Sequence, residues 1–263
     1  MHVHFLDPFH EGRSALHRLD SRVKLVLALA FILTTALTPP GAWPVYILLT
    51  ALVISLEMLS ELGVGFFLKR ALLALPFVLA ALPLLFTVQG PELARLPFGL
   101  ALSQPGLERF LSVLLKSWIS VQAALLLATT TPFPGLMGAM RSIRIPRLLV
   151  AIIGLMWRYL FVMVDEAFRL IRARDSRSAD SGAPGRRLGG SLGWRARVTG
   201  GMAGSLFLRS LERSDRIYMA MLARGYDGEV RALPRPPITR AGWLILFFGL
   251  GVLALLLLAG LWM

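Results

Sequence analysis

Five apolar blocks, each 16 to 21 residues long, leave this chain few ways to fold: Val23–Thr38, Trp43–Met58, Ala71–Val88, Phe110–Thr130 and Gly242–Trp262. A helix needs roughly 20 apolar residues to cross the hydrocarbon core of a bilayer. No water reaches the backbone there, so each crossing segment must close its own hydrogen bonds as a helix. A soluble domain of this length would disperse its apolar residues in periodic patterns instead. The expectation is an all-α integral membrane protein of five spans, or six if Leu148–Val164 also crosses. The link from Thr38 to Ala42, with two prolines and a glycine, predicts a tight reversal between the first two spans. Pro76 and Pro83 predict kinks in the third, because each removes a backbone donor.

The cations orient the spans. Arg13, Arg18, Arg22 and Lys24 precede or open the first span, and Lys69 and Arg70 precede the third. Such flanks belong in the cytoplasm. The N-terminus is then cytoplasmic, the segment 89–109 lies outside, and four crossings return the chain to the cytoplasm at Thr131. The polar start of the chain does not read as a secretory signal, since no small-residue cleavage pattern follows the first apolar run. Lys116, two turns into the fourth span, is expected to snorkel toward the outer headgroups.

Of the formal charge of +13, +11 lies between Pro132 and Arg240, where 19 arginines face 8 acidic residues. The chain therefore divides into a tail and four-span bundle over 1–131, an arginine-rich insert over 132–240, and a last span over 241–263. Leu148–Val164 is apolar but flanked by arginines on both sides, so it is expected to be a helix buried among the others or lying along the inner face. Asp165–Arg177 lacks glycine and proline and reads as a helix, with Asp165 and Arg169 spaced to pair at i, i+4. Ser181–Ser205 holds eight glycines and reads as a flexible connector with one short helix near Trp194. Order resumes at Leu206–Arg224, an amphipathic helix with Phe207, Leu211, Tyr218 and Leu222 near one face. Gly225 is placed to end it as a C′ residue.

The two insert helices end alike. One finishes Ser176-Arg177-Ser178 and the other Ala223-Arg224-Gly225, and each has an aspartate three positions after its arginine, at Asp180 and Asp227. Small neighbours let a helix end enter a groove while the arginine reaches a carboxylate in bidentate geometry. Arginine is also favoured at any helix C-terminus by the dipole. Two matched ends, 47 residues apart, favour a paired docking device.

Other chemistry is scarce. The absence of cysteine excludes disulfides and thiolate sites. No G-x-x-x-x-G-K-[ST] pattern occurs to cradle a nucleotide phosphate. His2, His4, His10 and His17 all precede the first span, and no metal site is assigned to them. Glu57 and Glu61, one turn apart, read as a solvated cluster at the inner face rather than as a catalytic pair. The basic insert lacks the interleaved aromatics of a nucleic-acid surface. An integral membrane enzyme is thus a remote alternative.

At these residues the chain resembles the transmembrane T component of energy-coupling-factor (ECF) transporters, most closely the cobalt/nickel branch of CbiQ-like permeases. The resemblance runs through LHRLDSRVKL (Leu16–Leu25), the segment Ile143–Asp180 and LFLRSLERSDRIYMAMLARGYDGE (Leu206–Glu229), with HFLDPF before them. It implies a non-catalytic permease subunit that binds no cofactor itself. Its partners would be two ABC ATPase subunits, which bind the ATP, and a membrane-embedded substrate-binding S component. Residue by residue, Arg177 and Arg224 match the arginines that dock the ATPases. Ala223 and Gly225 match the flanks of the second motif, while Ser176 and Ser178 stand where alanine and glycine are usual in the first. The implied cargo is cobalt or nickel; a vitamin such as biotin, or several shared S components, is the alternative.

Overall fold

The computed structural model describes residues 8–72, 75–88, 90–95, 101–177, 191–228 and 236–262. In chain order its elements are α1 (Ala15–Arg18), α2 (Ser21–Leu37), α3 (Trp43–Leu59), α4 (Val64–Ala71), α5 (Leu75–Leu79), α6 (Leu84–Thr87), β1 (Glu92–Arg95), β2 (Ala101–Ser103), α7 (Gln104–Thr130), α8 (Phe133–Ser142), α9 (Arg147–Arg177), α10 (Leu192–Leu222) and α11 (Arg240–Trp262). The protein is an all-α integral membrane protein to which one short antiparallel ribbon, β1–β2, is added. By length and composition α7, α9 and α11 can each cross a membrane, and α3 is a shorter apolar helix. Two compact units form, one of 8–143 with 235–263, the other of 144–234.

In the first unit α2 is the central helix, packed against α7, α8 and α11. Phe31, Val45, Tyr46, Leu49, Val53, Ile119, Ala123 and Leu253 make its core. The 39–42 reversal is tied down from both sides: the Tyr46 hydroxyl donates to Pro39 O at 2.9 Å, and Gly41 N–H donates to Ser112 Oγ on α7 at 3.3 Å. α11 lies against α2 through glycine. A β-carbon at Gly249 would stand 2.7 Å from Leu27, and one at Gly260 would stand 3.3 Å from Thr38, so close backbone approach needs residues without side chains. Buried hydroxyls satisfy themselves on the preceding turn, as Thr35 does on Phe31 O (2.9 Å) and Thr130 on Leu126 O (2.7 Å).

A reciprocal pair of lysines joins α2 to α7. Lys24, near the start of α2, donates to Thr130 O at the end of α7 (2.8 Å). Lys116 of α7 donates to Ala36 O at the end of α2 (2.9 Å). The last carbonyls of a helix have no intrahelical donor and carry its negative dipole end. Each of these antiparallel helices thus supplies a cation to the other's C-terminus. Lys116 thus reaches along α7 to the C-terminal end of α2, where an exposed helix-terminal carbonyl accepts from it.

Several expectations are corrected. The block 71–88 is not one continuous helix. Among its described residues it holds the end of α4 and the two short helices α5 and α6, joined by tight i→i−3 bonds such as Leu82 N to Leu79 O and Leu84 N to Ala81 O. Pro76 and Pro83 leave two gaps in the donor ladder only seven residues apart, too close for a full helix to persist between them. Glu57 is not solvated; it is fully buried. It continues the stripe Tyr46, Leu49, Val53 along the core face of α3, and both its carboxyl oxygens lack a hydrogen-bond partner among the described residues. Glu61 lies past the helix end in a left-handed conformation (φ +64°), so the two acids do not form a pair.

The N-terminal segment closes one end of this unit. His10 N–H donates to Thr129 O (3.0 Å), and the His10 ring meets Phe66 edge-on at 5.2 Å. His17 donates from Nε2 to His10 O (3.1 Å) and accepts the Ser14 hydroxyl at Nδ1 (2.7 Å). These two histidines serve as structural ties; His2 and His4 lie outside the described residues. Among the described residues no group of three or more metal-ligating side chains occurs.

Candidate functional site

The second unit contains two long helices, α9 and α10, of 31 residues each. α9 merges two segments that the sequence pattern separates, because no glycine or proline stands between Gly154 and Arg177 to end the helix at Asp165. Burial among the other helices does not hold for it, since Val150 and Ala151 are its buried residues while Leu148, Ile152 and Met156 are more than half exposed, which leaves the inner face as the other placement expected.

The expected connector is also corrected from Ser191 onward. That stretch is helix despite Gly193, Gly200, Gly201 and Gly204, while residues 181–190 lie outside the described residues. Ser191 caps it by accepting Trp194 N–H at 3.3 Å. A glycine costs a helix about 1 kcal/mol, but a turn added to an existing helix bears no nucleation cost. The ordered segment from Leu206 therefore extends back to a good cap.

Both sequence-selected arginines sit at the ends of these helices. Arg177 closes α9, with Ser176 bonded through its hydroxyl to Ala173 O (3.0 Å); Ser178 lies outside the described residues. At the end of α10, Gly225 adopts φ +77°. Tyr226 N–H donates to Met221 O (3.0 Å) and Gly225 N–H to Leu222 O (2.9 Å), the two bonds of a Schellman closure. Ala223 caps the helix in helical geometry, and Arg224 follows it in the closing turn. Arg177 and Arg224 are both exposed, and neither makes an ion pair or side-chain hydrogen bond among the described residues. Each is a guanidinium presented at the negative end of a helix dipole.

Between these ends lies a cluster that the sequence reading missed. Glu166 of α9 accepts a hydrogen bond from Arg209 of α10 at 2.9 Å, with Arg213 at 3.7 Å and Arg169 at 3.6 Å. Arg169 thus pairs with Glu166 at i, i+3, not with Asp165. The Arg209 hydrogen bond, aided by the charges of Arg169, Arg209 and Arg213, holds the Glu166 carboxyl below its ordinary range. On α10, Phe207, Leu211, Tyr218 and Leu222 are all exposed, so the apolar stripe predicted from the sequence is uncovered in the chain alone.

Comparison with known proteins bears on what such helix ends serve. A family model described as CbiQ, cobalt transport protein, matches residues 12–235. The chain is 28% identical to the cobalt transport protein CbiQ of Rhodobacter capsulatus, over 90% of each chain. It is 26% identical to the energy-coupling factor transporter transmembrane protein EcfT of Lacticaseibacillus paracasei, over 82% of this chain and 83% of that one. Against the protein of the same name from Bacillus selenitireducens it is 28% identical, over 82% and 81%.

Proposed function

The chain belongs to the CbiQ cobalt transport protein family, and from that premise we propose that it is the energy-coupling transmembrane subunit of an ATP-driven importer of cobalt or nickel. It is a transmembrane component of a transporter and a transport subunit rather than a catalyst. On this reading Arg177 and Arg224 dock two ATP-hydrolysing subunits, and the insert passes their motion to a separate substrate-binding membrane protein.

The observation that carries the reading is the pair of exposed arginines, unpaired among the described residues, that close two long helices of one unit. The uncovered apolar face of α10 supports it, because an amphipathic helix outside the membrane buries such a face against a partner. Similarity to a cobalt transport protein and to energy-coupling factor transporter proteins supports the cargo class and the energy-coupling role. A vitamin importer sharing this subunit is the reading to distinguish.

Purification of the native complex tests it. ATP-hydrolysing subunits and one further membrane protein should co-purify with the chain, and the chain freed of them should hydrolyse no ATP. Hydrolysis by the isolated chain, or a complex without ATPase subunits, would end the proposal. Identification of the further membrane protein separates cobalt or nickel from a vitamin.

The same reading places the N-terminus and the α9–α10 unit in the cytoplasm. The chain has no cysteine, so single cysteines report position cleanly. Gln104, at the start of α7, is exposed, as is Thr199 in α10. Gln104→Cys should react with an impermeant maleimide added outside intact cells, and Thr199→Cys only after lysis. The reverse pattern would overturn the orientation.

A further inference from the structure

We propose that Glu166 is a positioning residue, a carboxylate pin joining α9 to α10 at a point that holds Arg177 and Arg224 as a matched pair. The inference rests on the docking reading and adds what makes two docking ends act as one device.

The geometry of the pin is specific. One carboxylate contacts three guanidiniums, and the two from α10, Arg209 and Arg213, stand one turn apart. Contact with successive turns of the facing helix resists both sliding and rolling of one helix on the other. The Glu166 side chain is only 15% exposed under its arginines. Little else holds this helix pair: α10 has no buried residue, and the buried residues of α9, Val150 and Ala151, lie in its first turns. An isolated exposed ion pair contributes little, but several charges meeting on one acid form the networked case in which geometry is retained.

Both arginines also stand at comparable distances from the pin. Arg177 lies 11 residues beyond Glu166 on α9, and Arg224 lies 15 residues beyond Arg209 and 11 beyond Arg213 on α10. At 1.5 Å per residue the arms are about 16 Å on α9 and about 16–22 Å on α10. Arms of similar length from one fulcrum turn a relative rotation of the helices into comparable displacements of both arginines. That is the motion two matched ATPase subunits would impose and sense together.

The test uses the full chain in lipid nanodiscs, spin-labelled at Ala173→Cys and Ala220→Cys, exposed sites each seven residues beyond the pin. With Glu166 intact the distance distribution between labels should be narrow. Glu166→Gln should broaden it about twofold and lower ATPase retention roughly tenfold, as two linked docking events become independent ones. Combining Glu166→Arg with Arg209→Glu should restore both, because opposite charges again face each other across the helices. A distribution unchanged by Glu166→Gln would overturn the pin whatever the fate of the docking reading. Broadening without loss of ATPase retention would overturn its positioning role. The docking reading itself fails on a separate measurement, retention by the Arg177→Ala/Arg224→Ala chain, which the label distances do not depend on.

Discussion

Replacing Arg177 and Arg224 together by alanine should release the ATPase subunits and abolish uptake, while either replacement alone weakens both without dissolving the complex. Truncating one arginine of a buried bidentate pair with a partner carboxylate costs about 2–5 kcal/mol, much of it from the charge left unpaired. At 1.4 kcal/mol per decade this is roughly 30- to several-thousand-fold in affinity. Two docking ends on one unit partly cover for each other, since the intact one keeps the partner at high effective concentration. Neither arginine pairs within the described chain and both are exposed, so the double variant should still insert and fold. Lysine should rescue poorly, because a point charge lacks the planar fork. Arg197→Ala, an exposed arginine early in α10, is the control for bulk charge. Co-purification of ATPase subunits, with metal uptake in cells, reads the result. Retention of both by the double variant, or equal damage from the control, would reduce the arginines to ordinary members of a cationic flank.

The second large effect is on stability. Lys24→Met and Lys116→Met keep the aliphatic stem but leave a helix-terminal carbonyl without its donor, Thr130 O in one case and Ala36 O in the other. Thr130 O is buried, and a buried acceptor left unsatisfied costs about 1–3 kcal/mol, whereas losing the exposed Lys116 bond costs about 0.5–1.5 kcal/mol. The two bonds lie at opposite ends of α2, about 18 Å apart at 1.5 Å per residue, so their losses should add. The sum, about 1.5–4.5 kcal/mol, is a sizeable part of the 5–15 kcal/mol that keeps a typical protein folded. The double variant should unfold in lipid at a midpoint lowered by the sum of the two single shifts. If neither single variant shifts the midpoint, the reciprocal lysines do not hold α2 to α7.

How far each feature could be read from the residues depends on the range of the interaction behind it. The helical, membrane-embedded character was legible in the apolar blocks, and so was the reversal at 39–42. The Schellman closure at Gly225 could be anticipated too, because a left-handed turn needs a residue without a β-carbon. The fragmentation of 71–88 was half legible: two prolines announce a disturbance but not whether the helix bends or breaks. Glu57 was misread although a signal was present. Counting back from it through Val53 and Leu49 to Tyr46 gives the spacing of one buried face, which a pairwise comparison with Glu61 hides.

The sequence alone determined that the chain is helical and apolar in blocks, where the cations cluster and which two helix ends carry arginine, because these follow from bonds within a few residues and from local composition; it did not set where every helix begins or breaks. The tertiary structure decided what the polar groups between those features do. Lys24 and Lys116 find carbonyls 106 and 80 residues away, and Glu166 finds Arg209 43 residues on. A charged side chain has several partners of suitable chemistry along the chain, and only the packing of one helix on another brings a particular donor within 3 Å of a particular acceptor.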